Sequence, residues 1–114
     1  MTTQLRRWQA RVRRIKEELL DLGEMRPGTL SEQYNVCGKA TCRCKDPRNP
    51  RKHGPYYQIS YSHGGRSTTE FVKRERVAEV RRQLGNYARF KKLTAEWVSL
   101  SLRMANLRRQ QLKG

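Results

Sequence analysis

Acidic side chains are scarce in this sequence. Ten Asp and Glu stand against 26 Lys and Arg, a formal charge of +16. Asp21 and Asp46 are the only aspartates, and Glu32 and Glu70 sit in no recognisable motif. The paired carboxylates of a nuclease are therefore missing, and no Gly-rich phosphate loop is present. A cysteine nucleophile would need a positioned base and an oxyanion site, and no acid or Asn stands out to orient one. The expectation is a protein without catalytic residues, with a metal-dependent nuclease as the weakest reading.

Apolar residues are also few. Leu, Ile, Val and Phe together number 21 of 114 residues, below the roughly one-fifth that, with high net charge, marks disorder. Yet they fall in regular periods, which disordered chains lack. A folded chain so poor in apolar residues needs a metal, a disulfide or a second subunit. No apolar run approaches the ~20 residues that span a bilayer. The first residues carry Arg early without an apolar stretch, unlike a secretory signal. The protein is expected in the cytoplasm and off the membrane. Cysteine is limited to three. An odd count without a secretion signal argues against a disulfide framework and for metal or free thiols.

What is present is order of two kinds. Leu5, Trp8, Val12, Ile15, Leu19 and Leu22 step by three and four, one face of an amphipathic helix. Gly23 is placed as its C-terminal cap. From about residue 74 the chain reads as helical to its end. Val77, Val80, Leu84 and Tyr87 form one stripe; Phe90, Leu93, Trp97, Leu100, Met104 and Leu107 form another. The step between the two stripes is short beside Gly85-Asn86, where a bend or overwound turn is expected. The longer helix offers ten apolar positions against six on the first, so a second copy of the chain is expected to cover the remainder.

Between the helices, residues 29–36 alternate enough for a strand. Residues 55–72 read as a β-hairpin, with Tyr57, Ile59 and Tyr61 on one face. A two-residue Gly64-Gly65 loop would set Glu70 opposite Ile59. A three-residue loop from His63 to Gly65 would set Phe71 opposite Tyr57. Burial of one face favours the latter. The predicted class is α+β: an N-terminal helix, a Cys-rich loop, a small antiparallel hairpin or three-stranded sheet, and a long C-terminal helix. One domain spans 1–114, with segments 1–25, 29–73 and 74–113.

The strongest chemical signal is Cys37, Cys42 and Cys44, followed by His53. Three thiolates and an imidazole form a tetrahedral set for structural zinc. The stretch around them holds Pro47 and Pro50 and cannot order itself by secondary structure. A metal would fix it, with Gly38 letting the backbone turn back over the ion. His63, in the hairpin turn, is the poorer candidate for fourth ligand.

The second signal is charge. Lys39, Arg43, Lys45, Arg48, Arg51 and Lys52 crowd this loop against a single acid, Asp46. Arg66, Lys73 and Arg74 lie on the adjoining hairpin arm, and Tyr56 stands among them. Nucleic acid is the polyanion such a surface meets most often. These cations would hold the phosphates of DNA or structured RNA, with Tyr56 left for bases or sugars.

Segments 31–39 (SEQYNVCGK), 42–47 (CRCKDP) and 53–57 (HGPYY), with 67–72 (STTEFV), 86–90 (NYARF) and 96–100 (EWVSL), carry a resemblance. Over roughly residues 26–107 the chain resembles a family of small basic bacterial proteins. Where relatives often have Pro-Gly, this chain has Ala40-Thr41. The resemblance implies a bacterial source and association with mobile genetic elements. The function expected is that of an accessory nucleic-acid-binding protein with a structural zinc knuckle. The alternative is an interaction subunit docking its long helix onto a larger enzyme, such as a transposase or integrase.

Overall fold

The computed structural model describes residues 3–113. In chain order, helix α1 spans Thr3–Leu20, strand β1 Thr29–Asn35, strand β2 His53–His63, strand β3 Arg66–Val72 and helix α2 Val77–Lys113. Single 3-10 turns lie at Arg43–Lys45 and Arg74–Arg76. The α+β class and the three-stranded form of the sheet follow the sequence reading. None of the described helices is long and apolar enough to cross a membrane. The chain divides into two compact units, one formed by residues up to Met25 with those from Gly85 onward, the other by residues 26–84.

The first unit is held by the helical stripes. Val12 and Ile15 cluster with Leu93 and Leu100, and Trp8, Leu19, Trp97 and Met104 pack around them. Helical side chains three and four apart share a face, so the sequence period becomes the contact surface. Burial of each such aliphatic side chain contributes ~1.5–3 kcal/mol. Polar contacts rim the cluster. Arg11 donates to both carboxylate oxygens of Glu96, Nη2 to Oε1 at 2.8 Å. Arg89 Nη2 lies 3.2 Å from Glu18 Oε1, and Lys16 sits over the Trp97 ring.

Gly23 is not the cap of α1. The helix ends at Leu20, and Gly23 is not among the glycines with positive φ. A Cβ there would lie 3.2 Å from Asn86 Nδ2, a tight contact with the end of that side chain. That amide donates to Glu24 O at 2.8 Å. Helix α2 runs without interruption through Gly85 and Asn86.

The second unit is built on the antiparallel sheet, in the order β1-β2-β3. Its hairpin corrects the register favoured above. Ile59 pairs with Glu70 and His63 with Arg66, so the loop is the two-residue Gly64-Gly65. Both glycines are left-handed, with φ of 59° and 77°, the combination that a two-residue turn of matching twist requires. Phe71 thereby faces away from Ile59 and stands 77% exposed. The turn decides the register; the gain from burying Phe71 does not.

Alternation along the strands gives the sheet two faces. Ile59, fully buried, lies on one. There Gly28 approaches it so closely that a Cβ would stand 2.9 Å from Ser60 O. Arg26 pairs with Glu70 and lies over the Tyr61 ring, and Tyr61 donates to Glu70. The Arg26 amide bonds to Gln83 O at 3.2 Å, joining the start of β1's approach to the first turns of α2.

Candidate metal centre

Cys37 lies two residues past the end of β1, Cys42 and Cys44 flank the start of the 3-10 turn, and His53 opens β2. The pairing of Asn35 with His53 brings the two ends of the loop together. The turn does the rest locally. Cys42 N–H donates to Lys39 O, Lys45 N–H to Cys42 O, and Arg51 N–H to Arg43 O at 2.9 Å. The Asp46 carboxylate accepts from Arg48 N–H at 2.9 Å, an Asx turn that closes the segment around Pro47.

The result is a compact quartet. One ligand atom from each of Cys37, Cys42, Cys44 and His53 lies within 4.8 Å of the others. Cys37 Sγ and Cys44 Sγ are 3.6 Å apart, and Cys42 Sγ and His53 Nε2 are 3.2 Å apart. Around a tetrahedral zinc, with Zn–S of ~2.3 Å and Zn–N of ~2.0 Å, such edges run roughly 3.5–3.8 Å. The donor set and its spacing are therefore compatible with a metal ion. Cys37 N–H also donates to Cys44 Sγ at 3.3 Å, a contact that stabilises a thiolate and orients it.

Protonation within the quartet follows the same geometry. The backbone N–H of Cys44, with smaller contributions from the Cys37, Cys44 and His53 side chains, lowers the Cys42 thiol to about 6. Burial raises the Cys44 thiol. Hydrogen bonding to Cys37, then to Cys42, raises the His53 imidazole. Several groups share protons where one cation would satisfy all of them, and bound metal displaces such protons.

His53 is held by a close approach that spacing alone did not reveal. The next residue, Gly54, has φ of 137°, and a Cβ on it would lie 2.7 Å from Gln33 O and 3.1 Å from Tyr34 Cδ1. The register shift between Gln33 and Asn35 lies at this point. The Gly54-Pro55 peptide is cis. A glycine wedged between a histidine and a proline was the signal available in the sequence. Gly38 has no such role, since it lacks positive φ and a Cβ there would meet nothing within 4 Å. His63 stands at the other end of β2, roughly 33 Å away at the rise of a strand, and pairs with Arg66.

Lys39, Arg43, Lys45, Arg48, Arg51 and Lys52 are all exposed around the quartet, and none forms an ion pair among the described residues. Arg43 and Arg51, with Asp46 and Asn49, line an open recess of about 360 Å³. Lys73 and Arg74 follow β3, whose last residue Val72 pairs with Tyr57 near the start of β2. Tyr56 lies at that same end, 41% exposed. Arg66 is the exception: the structure places it at the hairpin turn, apart from the others.

A family model described as a domain of unknown function, DUF6788, matches residues 5–82, more than half the chain. The chain belongs to that family. The DUF6788 match takes in α1 from Leu5 onward, all three strands, the whole quartet and the first six residues of α2. The remainder of α2 lies beyond it. No curated protein and no solved structure matches the chain.

Proposed function

We propose that this chain is a non-catalytic nucleic-acid-binding protein in which structural zinc, held by Cys37, Cys42, Cys44 and His53, orders a basic loop against polyanions. The observation that carries the reading is the quartet at the centre of six exposed cations. A loop without secondary structure would spread its charges through many conformers. Cross-linked at four points, it holds Arg43 and Arg51 side by side on one recess, where both reach one stretch of backbone. Three thiolates and zinc carry a net negative charge, which the surrounding Lys and Arg offset. A closed four-ligand site leaves no open coordination position for hydrolysis. The resemblance to companions of mobile genetic elements suits an accessory role beside such an element.

The test is charge reversal. Zinc-loaded protein should shift DNA or RNA in a gel at low salt. Affinity should fall by orders of magnitude from low to moderate salt if ~6–10 phosphates are contacted. Arg43→Glu with Arg51→Glu should abolish the shift while zinc content stays at wild type. Unchanged affinity in that double variant would refute the reading.

A second reading, docking onto a larger nucleic-acid enzyme or onto a second copy, is favoured by Val98 and Leu102. These lie one turn apart on α2 and are 59% and 61% exposed. Sedimentation of the purified chain, with and without Leu102→Glu, separates the two: loss of a dimer in the variant would support self-association.

A further inference from the structure

The sheet face turned away from Ile59 has an unusual composition. By the register, Tyr56 and Gln58 of β2, Gln33 of β1 and Phe71 of β3 share it, and the other paired positions on it are Ser or Thr. Phe71 pairs with Gln58, so it stands diagonally next to Tyr56. Both rings are exposed, Phe71 at 77% and Tyr56 at 41%. Both acids of the sheet, Glu32 and Glu70, fall on the opposite face, paired with Tyr57 and Ile59. There Glu70 is also tied to Arg26 and Tyr61.

We infer that this face is a stacking platform for single-stranded nucleic acid, with Phe71 and Tyr56 each receiving a base. This deepens the function proposed above and rests on it. Diagonal neighbours on a sheet are spaced roughly 7–8 Å apart, which leaves each ring free to take its own base. Stacking tolerates any base, because every base offers a π-face. Gln33 and Gln58 supply the donors and acceptors that unpaired base edges need. Charge is complementary: the face carries no acid, and Lys73, Arg74 and the basic loop gather at the end of the sheet where Tyr56 lies. A duplex offers its bases only edge-on and cannot use exposed rings this way. The register matters throughout, since a one-residue slip would have turned Phe71 inward and Glu70 outward.

The test uses the zinc-loaded full chain and fluorescence anisotropy. The probes are labelled oligouridine, oligothymidine of equal length, and an abasic strand with the same number of phosphates. The wild type should prefer the strands with bases. Phe71→Ala should reduce that preference and weaken binding to them by about 5- to 100-fold, and Phe71→Trp should keep it. The ratio of ribose to deoxyribose affinity then says which strand is the ligand. Equal binding of abasic and normal strands by the wild type would overturn the platform while leaving phosphate binding by the loop intact. If no polynucleotide is bound at all, the proposed function fails and this inference with it. If Phe71→Ala instead dissolves a self-association and leaves oligonucleotide binding as it was, the face is a contact between copies and the inference is wrong. Should Phe71→Ala fail to fold, the abasic comparison on the wild type decides alone.

Discussion

Cys42 Sγ and His53 Nε2 stand 3.2 Å apart although eleven positions separate them in sequence. No secondary structure spans that distance in sequence; the 3-10 turn supplies one end and the start of β2 the other. Purified protein should therefore contain about one equivalent of zinc. Cys44→Ser, which removes the buried thiol of the set, should lose it. Chelation should broaden or shift amide resonances of residues 37–54, while helical circular dichroism is largely retained. Metal-free native protein with this loop still ordered would contradict the assignment.

Gly54→Ala should weaken zinc binding and cost the fold on the order of 1–3 kcal/mol. The new Cβ meets a backbone oxygen at 2.7 Å and the backbone is left-handed. Gly38→Ala, where a Cβ meets open space, should change stability by less than about 0.5 kcal/mol. Chelator competition and urea unfolding of the two variants measure the contrast.

Ile15 is fully buried in the helical unit, whereas Leu20, at the end of the same helix, is 84% exposed. Ile15→Ala should destabilise by about 2–5 kcal/mol, and Leu20→Ala by less than about 0.5 kcal/mol. Equal midpoints in denaturant would mean that the two stripes do not form the core.

The Arg11–Glu96 pair sets an acid response. The hydrogen bonds from Arg11, then its charge, hold the Glu96 carboxyl below its ordinary range against the opposing effect of burial. A carboxyl lowered in the folded state adds stability above its unfolded value, about 4.3. That contribution is lost as pH falls through the lower folded value. Both side chains are more than a third exposed, so solvent screens the pair and the effect is modest. In Glu96→Gln, Tm should fall less steeply than in the wild type below about pH 4. Parallel curves would show that the pair contributes nothing.

Much of the site was legible because its parts are written locally. Three cysteines and a histidine close in sequence, in a segment that Pro47 and Pro50 keep irregular, make a set that could hold a metal by donor chemistry alone. The cations beside them needed only to be counted. Gly54 and Phe71 were harder. The need for a glycine beside His53 comes from Gln33, which reaches it only through strand pairing. The exposure of Phe71 depends on which of two turns the hairpin adopts.

The sequence by itself determined the two helices, the stripes that join them and the ligand quartet, because helical period and donor identity need no knowledge of distant neighbours. Only the tertiary structure decided the hairpin register, and with it which aromatic faces solvent. A period of two leaves a one-residue slip undetectable in composition, and the left-handed pair Gly64-Gly65 resolved it against the pull of burial.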